Sequence, residues 1–194
     1  MAVDVDPSVE ARDPTLEKCR VIRGELAAEV QDKVVTYGPS IRAFRFTSLL
    51  DKIHVKILRV RTIRDVGRQA VPDSIEEDLI GVHNYALYAI QRLRHECVTD
   101  DDSDYLSDPA TFVDAYRALC DEAQGIMARK NHDYGAAWKV MAPETIFDEI
   151  LARVYRIESL ASKNELCDRA GQIEDQLFDA ANYCLFANLR LADE

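Results

Sequence analysis

Near the C-terminus of this chain, Asp175, Asp179 and Asn182 fall within about 60° of one another on a helical wheel, in an otherwise apolar segment. Two carboxylates at i and i+4 on one face can share a divalent cation, and Mg²⁺ prefers such hard oxygen ligands. The same stripe would equally serve as the solvent face of a bundle helix. Glu174 falls on the apolar side of that wheel, as does Glu76 in the first half of the chain, and a carboxylate placed there needs a partner, which a cation or an arginine of the second helix would supply. Upstream, Arg153 and Arg156 stand at i and i+3, matched by Lys56 and Arg59. Arginine forks fit phosphate oxygens, and they fit the neighbouring acidic stripes as well. The segment RKNHDYGAAW gathers Lys130, His132, Asp133, Tyr134 and the only tryptophan, Trp138, where a helix should end.

These residues belong to a pattern written twice. TYGPSIRAFRFTSLLDKIHVKILRV around Tyr37 is answered by DYGAAWKVMAPETIFDEILARVYRI around Tyr134, at a constant offset of 97 (134 minus 37). That offset pairs Gly38 with Gly135, Asp51 with Asp148 and Arg59 with Arg156; further on it becomes 98 and pairs Leu79 with Leu177 and Asn84-Tyr85 with Asn182-Tyr183. Two copies of one element set predict a single object with an approximate two-fold axis, or two like domains. The copies differ at polar positions: Thr36 stands opposite Asp133, Ile41 opposite Trp138 and Gly81 opposite Asp179. A site would therefore be more acidic around the second copy.

Helical spacing runs throughout. Asp13-Pro14 and Asp108-Pro109 each open a first helix, with Asp at the N-cap and Pro at the first position. Each first helix runs into Tyr-Gly, where glycine can stop it at positive φ. Second helices are predicted from Ser48-x-x-Asp51 and Thr145-x-x-Asp148, read as capping boxes, which explain Asp51 and Asp148 before any metal role. Third helices are predicted from Ser74-x-x-Glu77 and from Asp168 to Gln172. No alternating strand pattern of any length occurs. The fold class is all-α: two tandem repeats of about three helices each, packed as a pseudo-two-fold helical bundle. An acidic tail over 1–12, a first repeat over 13–97, an acidic linker over 98–107 and a second repeat over 108–194 complete the organisation, the repeats together forming one domain.

A chain of 194 residues, 47% hydrophobic and 30% charged, can bury one sizeable core. The net charge of −11 argues against a nucleic-acid polymer as partner, while a local basic patch could still hold a nucleotide. No apolar run approaches a membrane span, and the acidic start lacks the basic region of a signal peptide. Five cysteines, odd in number and without C-x-x-C, suggest reduced thiols and a cytoplasmic setting. E-x-x-H, a Gly-rich phosphate loop and G-x-S-x-G are all missing.

K-x-x-D-Y-G-x-x-W, then S/T-x-x-D with a basic second helix, then D-x-x-N-Y, resembles the nucleotide-modification-associated domain of the first class. Here the pattern is carried by Lys130, Asp133-Tyr134-Gly135, Trp138, Thr145, Asp148, Arg156, Asp179 and Asn182-Tyr183, with both repeats covered. That family is distantly similar to the MazG-like all-α nucleoside triphosphate pyrophosphatases, whose acidic helices hold Mg²⁺. Their E-E-x-x-E is broken here, since Ile80 stands where Glu76-Glu77 would need a third acid. The resemblance implies a Mg²⁺- or Mn²⁺-dependent pyrophosphohydrolase acting on a deoxynucleoside triphosphate or modified nucleotide. Asp133, Asp148, Glu174, Asp175 and Asp179 would be the metal ligands, with Asp133, Glu174 and Asp179 catalytic. Lys130, Arg153, Arg156 and Asn182 would hold the nucleotide, with Tyr134 or Trp138 stacked on the base. The rival is a non-catalytic nucleotide-binding or helical interaction module whose stripes merely pair; either could form a homodimer.

Overall fold

In a computed structural model, residues 14–98, 108–161 and 166–193 are described. Among them are six α-helices and no strand. The helices are α1 (Pro14–Tyr37), α2 (Phe46–Val66), α3 (Ile75–Glu96), α4 (Pro109–Tyr134), α5 (Pro143–Ala161) and α6 (Ala170–Leu191). Single 3₁₀ turns over Ser40–Ala43 and Ala137–Val140 follow the two first helices. No described helix is long and apolar enough to cross a membrane. The predicted acidic tail, Asp13 and the acidic run 99–104 lie outside the described residues.

The chain divides into two compact units, and each takes its helices from both repeats. One contains the equivalent first helices α1 and α4; the other contains α2, α3, α5 and α6. In the first unit α1 packs on α4 through Leu16, Cys19, Leu26 and Val30 on one side and Phe112, Tyr116, Ala123 and Met127 on the other, all buried. In the second unit the packing runs as a closed ring, α2 on α3, α3 on α6, α6 on α5 and α5 back on α2. Two of those four seams join a helix to its own repeat equivalent. That self-pairing is what a two-fold operation produces, so the ring is a pseudo-symmetric four-helix bundle.

The predicted stripes are the ones buried. Leu49, Ile53, Ile57 and Val60 of α2 and Ile146, Ile150, Val154 and Ile157 of α5 are all at 1% exposure or less. Leu79 and Leu177 occupy matching places at 0%. Edge-to-face pairs Tyr85–Tyr88 and Tyr183–Phe186, at 6.3 and 6.2 Å between ring centroids, repeat the same local packing on α3 and α6.

Helix ends show where local signals succeed and fail. Gly38 and Gly135 follow α1 and α4 at φ 68° and 60°, the left-handed region that suits glycine. Asp108 caps α4 by accepting from the Thr111 amide at 2.8 Å. Ser74 and Glu77 form the capping box of α3, with 2.8 and 3.1 Å bonds. The other two proposed boxes are corrected. Helix α2 begins at Phe46 after Arg45 and α5 begins at Pro143, so Ser48 and Thr145 lie inside their helices. The missed signal for α5 is Pro143, a residue suited to the first helical turn. For α6 the N-cap is Arg169.

The expectation of reduced cysteines is also corrected. Cys97, just past α3, is bonded to Cys167, just before α6, with the Cα atoms 5.2 Å apart and 70 residues between them. No sequence motif brings residues at that separation together; the α3–α6 seam does. Cys19, Cys120 and Cys184 are free and buried. Burial pushes the Cys120 thiol up to about 11 and raises that of Cys184 as well, so both stay protonated at neutral pH. Thiol titration should accordingly find no reactive thiol in the native unreduced protein at pH 8, and three on denaturation, Cys19, Cys120 and Cys184. On the loop-entropy model, opening this bridge should lower unfolding free energy by about 4 kcal/mol, measured in denaturant with and without reductant.

Candidate functional site

The four-helix unit sets a basic pair of each second helix against the third helix of its own repeat. In the first repeat, Lys56 donates to Asp78 Oδ1 at 2.8 Å and Arg59 donates to Asp78 Oδ2. Arg59 also donates to the Asp73 carbonyl at 2.8 Å. Asp78 is only 3% exposed, so a doubly paired carboxylate fills this corner of the bundle. Gly81 is what lets the lysine reach it. A Cβ at Gly81 would stand 2.6 Å from Lys56 Cε, in space the lysine stem already occupies.

The second repeat solves the same problem one turn further along. Asp179 stands at the position of Gly81, and it receives Arg153 at 3.4 Å. Arg153 donates as well to the side chain of Glu149 and, at 2.9 Å, to its carbonyl. Its guanidinium lies over the Tyr183 ring, 4.5 Å from the centroid. With the carboxylate moved to 179, the position equivalent to Asp78 holds the neutral amide Gln176. Arg156, the counterpart of Arg59, therefore makes only a long 3.4 Å bond to Gln176 Oε1. Arg156 then faces a cleft of about 420 Å³ between α5 and α6, lined by Arg156, Ser159, Leu160, Gln172, Asp175 and Gln176. Among the described residues Arg156 and Asp175 each lack an ion-pair partner, although both line the same cleft. Glu77, which matches Asp175, is occupied in the α3 capping box.

Of the predicted site residues, the structure thus brings Arg156 and Asp175 to one cleft and pairs Arg153 with Asp179. It distributes the others. Glu174, expected to need a cation or an arginine of a second helix, is held instead by Arg94 of α3 through bonds of 3.0 and 2.8 Å. Glu76 is exposed, and the carboxylate that is buried on α3 is Asp78. Asp148 sits 3.4 Å from Arg61, with 64% of its side chain exposed. Asn182 is buried at 5%. Lys130, Asp133, Tyr134 and Trp138 belong to the α1–α4 unit. There Asp133 pairs with His132 at 3.1 Å, and Lys130 and Tyr134 are exposed. Trp138 is a core side chain at 6% exposure, with Lys139 over its ring. Among the described residues no three His, Cys, Asp or Glu side chains converge in metal-binding geometry. Ser159, Gln172 and Gln176 were missed in the sequence, although the offset of 98 already set Gln176 opposite Asp78.

A family model described as nucleotide modification associated domain 1 matches residues 33–93 and, a second time, residues 130–191. Those two segments make up more than half of the chain, which belongs to that family. No curated protein and no solved structure matches it.

The two acids Asp78 and Asp175 should respond to substitution in opposite ways. Asp78→Ala leaves two part-buried cations without their counter-charge, and should cost about 3 kcal/mol of unfolding free energy in denaturant titration. Asp175→Ala, at an exposed unpaired position, should change stability by less than about 0.5 kcal/mol. Equal losses would contradict the division between a structural and an available carboxylate.

Proposed function

We propose that this chain is a nucleotide-binding domain whose second repeat takes the phosphates of a nucleoside polyphosphate in the α5–α6 cleft. One observation carries the reading: Arg156 faces that cleft beside an amide, where its counterpart Arg59 is held by a buried carboxylate. A guanidinium presented to open space by a neutral neighbour is suited to phosphate oxygens, which it can grip with two parallel donors. A volume of about 420 Å³ is of the size that small-molecule sites commonly have. Gln172, Gln176 and Ser159 offer both donors and acceptors for a ribose or a base edge.

Asp175 suits a divalent cation arriving with the nucleotide. Magnesium usually binds through one or two carboxylates together with substrate phosphates, so a single acid next to the phosphate-binding arginine fits the group. The reading stops at binding. Hydrolysis asks for a base beside the metal-binding carboxylate, and Asp175 is the only acid lining the cleft among the described residues. Nucleotides of this kind are intracellular solutes, which puts the proposed working place of the chain in the cytoplasm.

Calorimetric titration with ribo-, deoxyribo- and base-modified triphosphates, with Mg²⁺ or chelator, tests the reading. Arg156→Ala should weaken binding about tenfold or more, the loss of one charge-assisted contact. Gln176→Asp should do the same while leaving the fold intact, because the new carboxylate would hold Arg156 as Asp78 holds Arg59. Asp175→Asn should remove the Mg²⁺ dependence and keep metal-free binding. Unchanged affinity in Arg156→Ala would overturn the assignment. Metal-dependent pyrophosphate release in the same samples would extend it to catalysis.

A further inference from the structure

The first turn of α6 is held differently from its counterpart in α3. The offset of 98 sets Ser74, Ile75 and Glu77 opposite Gln172, Ile173 and Asp175. Helix α3 starts at Ile75, whereas α6 starts at Ala170, three residues before the matching Ile173 (173 minus 170). Residues 170–172 therefore form a turn that the first repeat lacks. Where α3 opens with a capping box, α6 opens after Arg169 with no side-chain cap. A first turn without a cap has fewer acceptors for its amides and frays more readily. Cys167 holds this one instead. Its carbonyl accepts from the Ala170 amide at 3.2 Å, and its sulfur is bonded to Cys97. Cys97 is itself fixed as the C-cap of α3, with its amide bonded to the carbonyls of Leu93 and His95.

The added turn is part of the α5–α6 cleft, because Gln172 lies on it and lines that cleft. From the next residue on, α6 has other anchors. Ile173 is at 0% exposure, and Glu174 is bonded to Arg94 of α3. Release of Cys167 should thus loosen residues 170–172 and stop at Ile173, leaving Asp175 and Gln176 in place. The bond is open to reagents: Cys167 is exposed and Cys97 half-buried, while Cys19, Cys120 and Cys184 are buried. In a reducing compartment disulfides are usually transient and serve catalysis or redox sensing.

We propose that Cys97–Cys167 is a redox-exchangeable bond that fixes the first turn of α6, and with it Gln172, so that its oxidation state tunes nucleotide affinity in the cleft. The effect on affinity rests on the nucleotide-binding reading above; the exchange and the loosening of the turn do not. The reductant is a dithiol. One of its thiolates attacks Sγ of Cys167, the more exposed sulfur, forming a mixed disulfide and expelling Cys97 as a thiolate that takes a proton. The reductant's second thiol, after losing its proton, attacks the reductant sulfur of the mixed disulfide and expels Cys167, which is protonated in turn. The protein gains two electrons and two thiols, and the dithiol becomes a disulfide. Ile173, six residues past Cys167 (173 minus 167), stays anchored and keeps the thiols near enough for an oxidised dithiol to reverse the exchange.

The test incubates the native full-length chain with dithiothreitol at set ratios of its reduced and oxidised forms. Alkylation and mass measurement should find Cys97 and Cys167 titrating together, with Cys19, Cys120 and Cys184 unmodified. On reduction, amide hydrogen exchange should lose protection at Ile173–Gln176, whose amides donate to the carbonyls of residues 169–172, and keep it from Leu177 on. Titration with a nucleoside triphosphate and Mg²⁺ should show about twofold to tenfold weaker binding on reduction, the worth of one neutral hydrogen-bonding group. Gln172→Ala should bind equally in both states. The double variant Cys97→Ser/Cys167→Ser should reproduce the reduced protein in both readouts. Unchanged exchange at Ile173–Gln176 overturns the proposal, as does loss of protection along the whole of α6, which would make the bond a structural staple. Equal affinity in both states, with exchange altered, overturns the link to the cleft. Absence of nucleotide binding in either state overturns the nucleotide reading, and the exchange data then decide the redox one by themselves.

Discussion

The four-helix unit depends on the seam between α3 and α6. Each of these helices carries an apolar face too broad for the second helix of its own repeat to cover. Val82, Ala86, Ala89, Ile90 and Leu93 on α3, with Leu177, Ala180, Ala181, Cys184 and Ala187 on α6, are at 1% exposure or less. The many alanines keep the side chains short where the helices meet, and long residues at the margins fill the rest, as close packing requires. A three-helix repeat could not bury this face alone. Its duplicate offers the same face turned round, and self-pairing of equivalent helices follows from that need. The Cys97–Cys167 bond then ties one end of this seam.

Polar groups at the margin of the seam answer to the same packing. A carboxylate on a third helix that faces inward must be met by a cation, and the second helix next to it is the available source. Both repeats obey the rule with different residues. One uses Asp78 with Lys56 and Arg59, made possible by the absent side chain at Gly81; the other uses Asp179 with Arg153. Moving the acid by one helical turn keeps an inward carboxylate paired with a second-helix cation at that corner while releasing the next arginine, Arg156. A cleft with an available cation is thus a by-product of how a structural charge is balanced. The first repeat, balanced the other way, holds Arg59 within its own ion pair.

Legibility from sequence tracked the range of the interaction. Helical periodicity, the duplication, the Asp108 cap and the glycine stops at Gly38 and Gly135 are local, and each was readable from neighbouring residues. Ser48 and Thr145 misled because S/T-x-x-D spacing also occurs inside a helix, and only the true start at Phe46 or Pro143 distinguishes the two. The disulfide was illegible, since its halves meet only after α3 and α6 pack. Among the acids, spacing set Asp175 and Asp179 in one stripe and Glu174 on the apolar side, while the resemblance made all three metal ligands. What separates them is the residue across the helix interface: Arg94 for Glu174, Arg153 for Asp179, and no described ion-pair partner for Asp175. The divergence between copies at Gly81 and Asp179 was read as an acid lost from the first repeat. The companion exchange of Asp78 for Gln176 shows an acid relocated.

Magnitudes explain why such a relocation can free an arginine with little loss of stability. Breaking a buried pair by removing one partner costs about 3–5 kcal/mol, so an intermediate with neither Asp78-type nor Asp179-type pairing would be heavily penalised. A chain that has gained the second acid before losing the first avoids that penalty. The released arginine lies at the surface, where an unpaired guanidinium remains hydrated and costs little, because exposed ion pairs contribute only about 0–1 kcal/mol. The same exposure leaves it without a buried carboxylate to compete for its donors. In the first repeat that competition is built in, since displacing Asp78 would strand an acid that is 3% exposed. Duplication therefore allows one copy to keep the structural ion pair while the other turns the equivalent arginine outward.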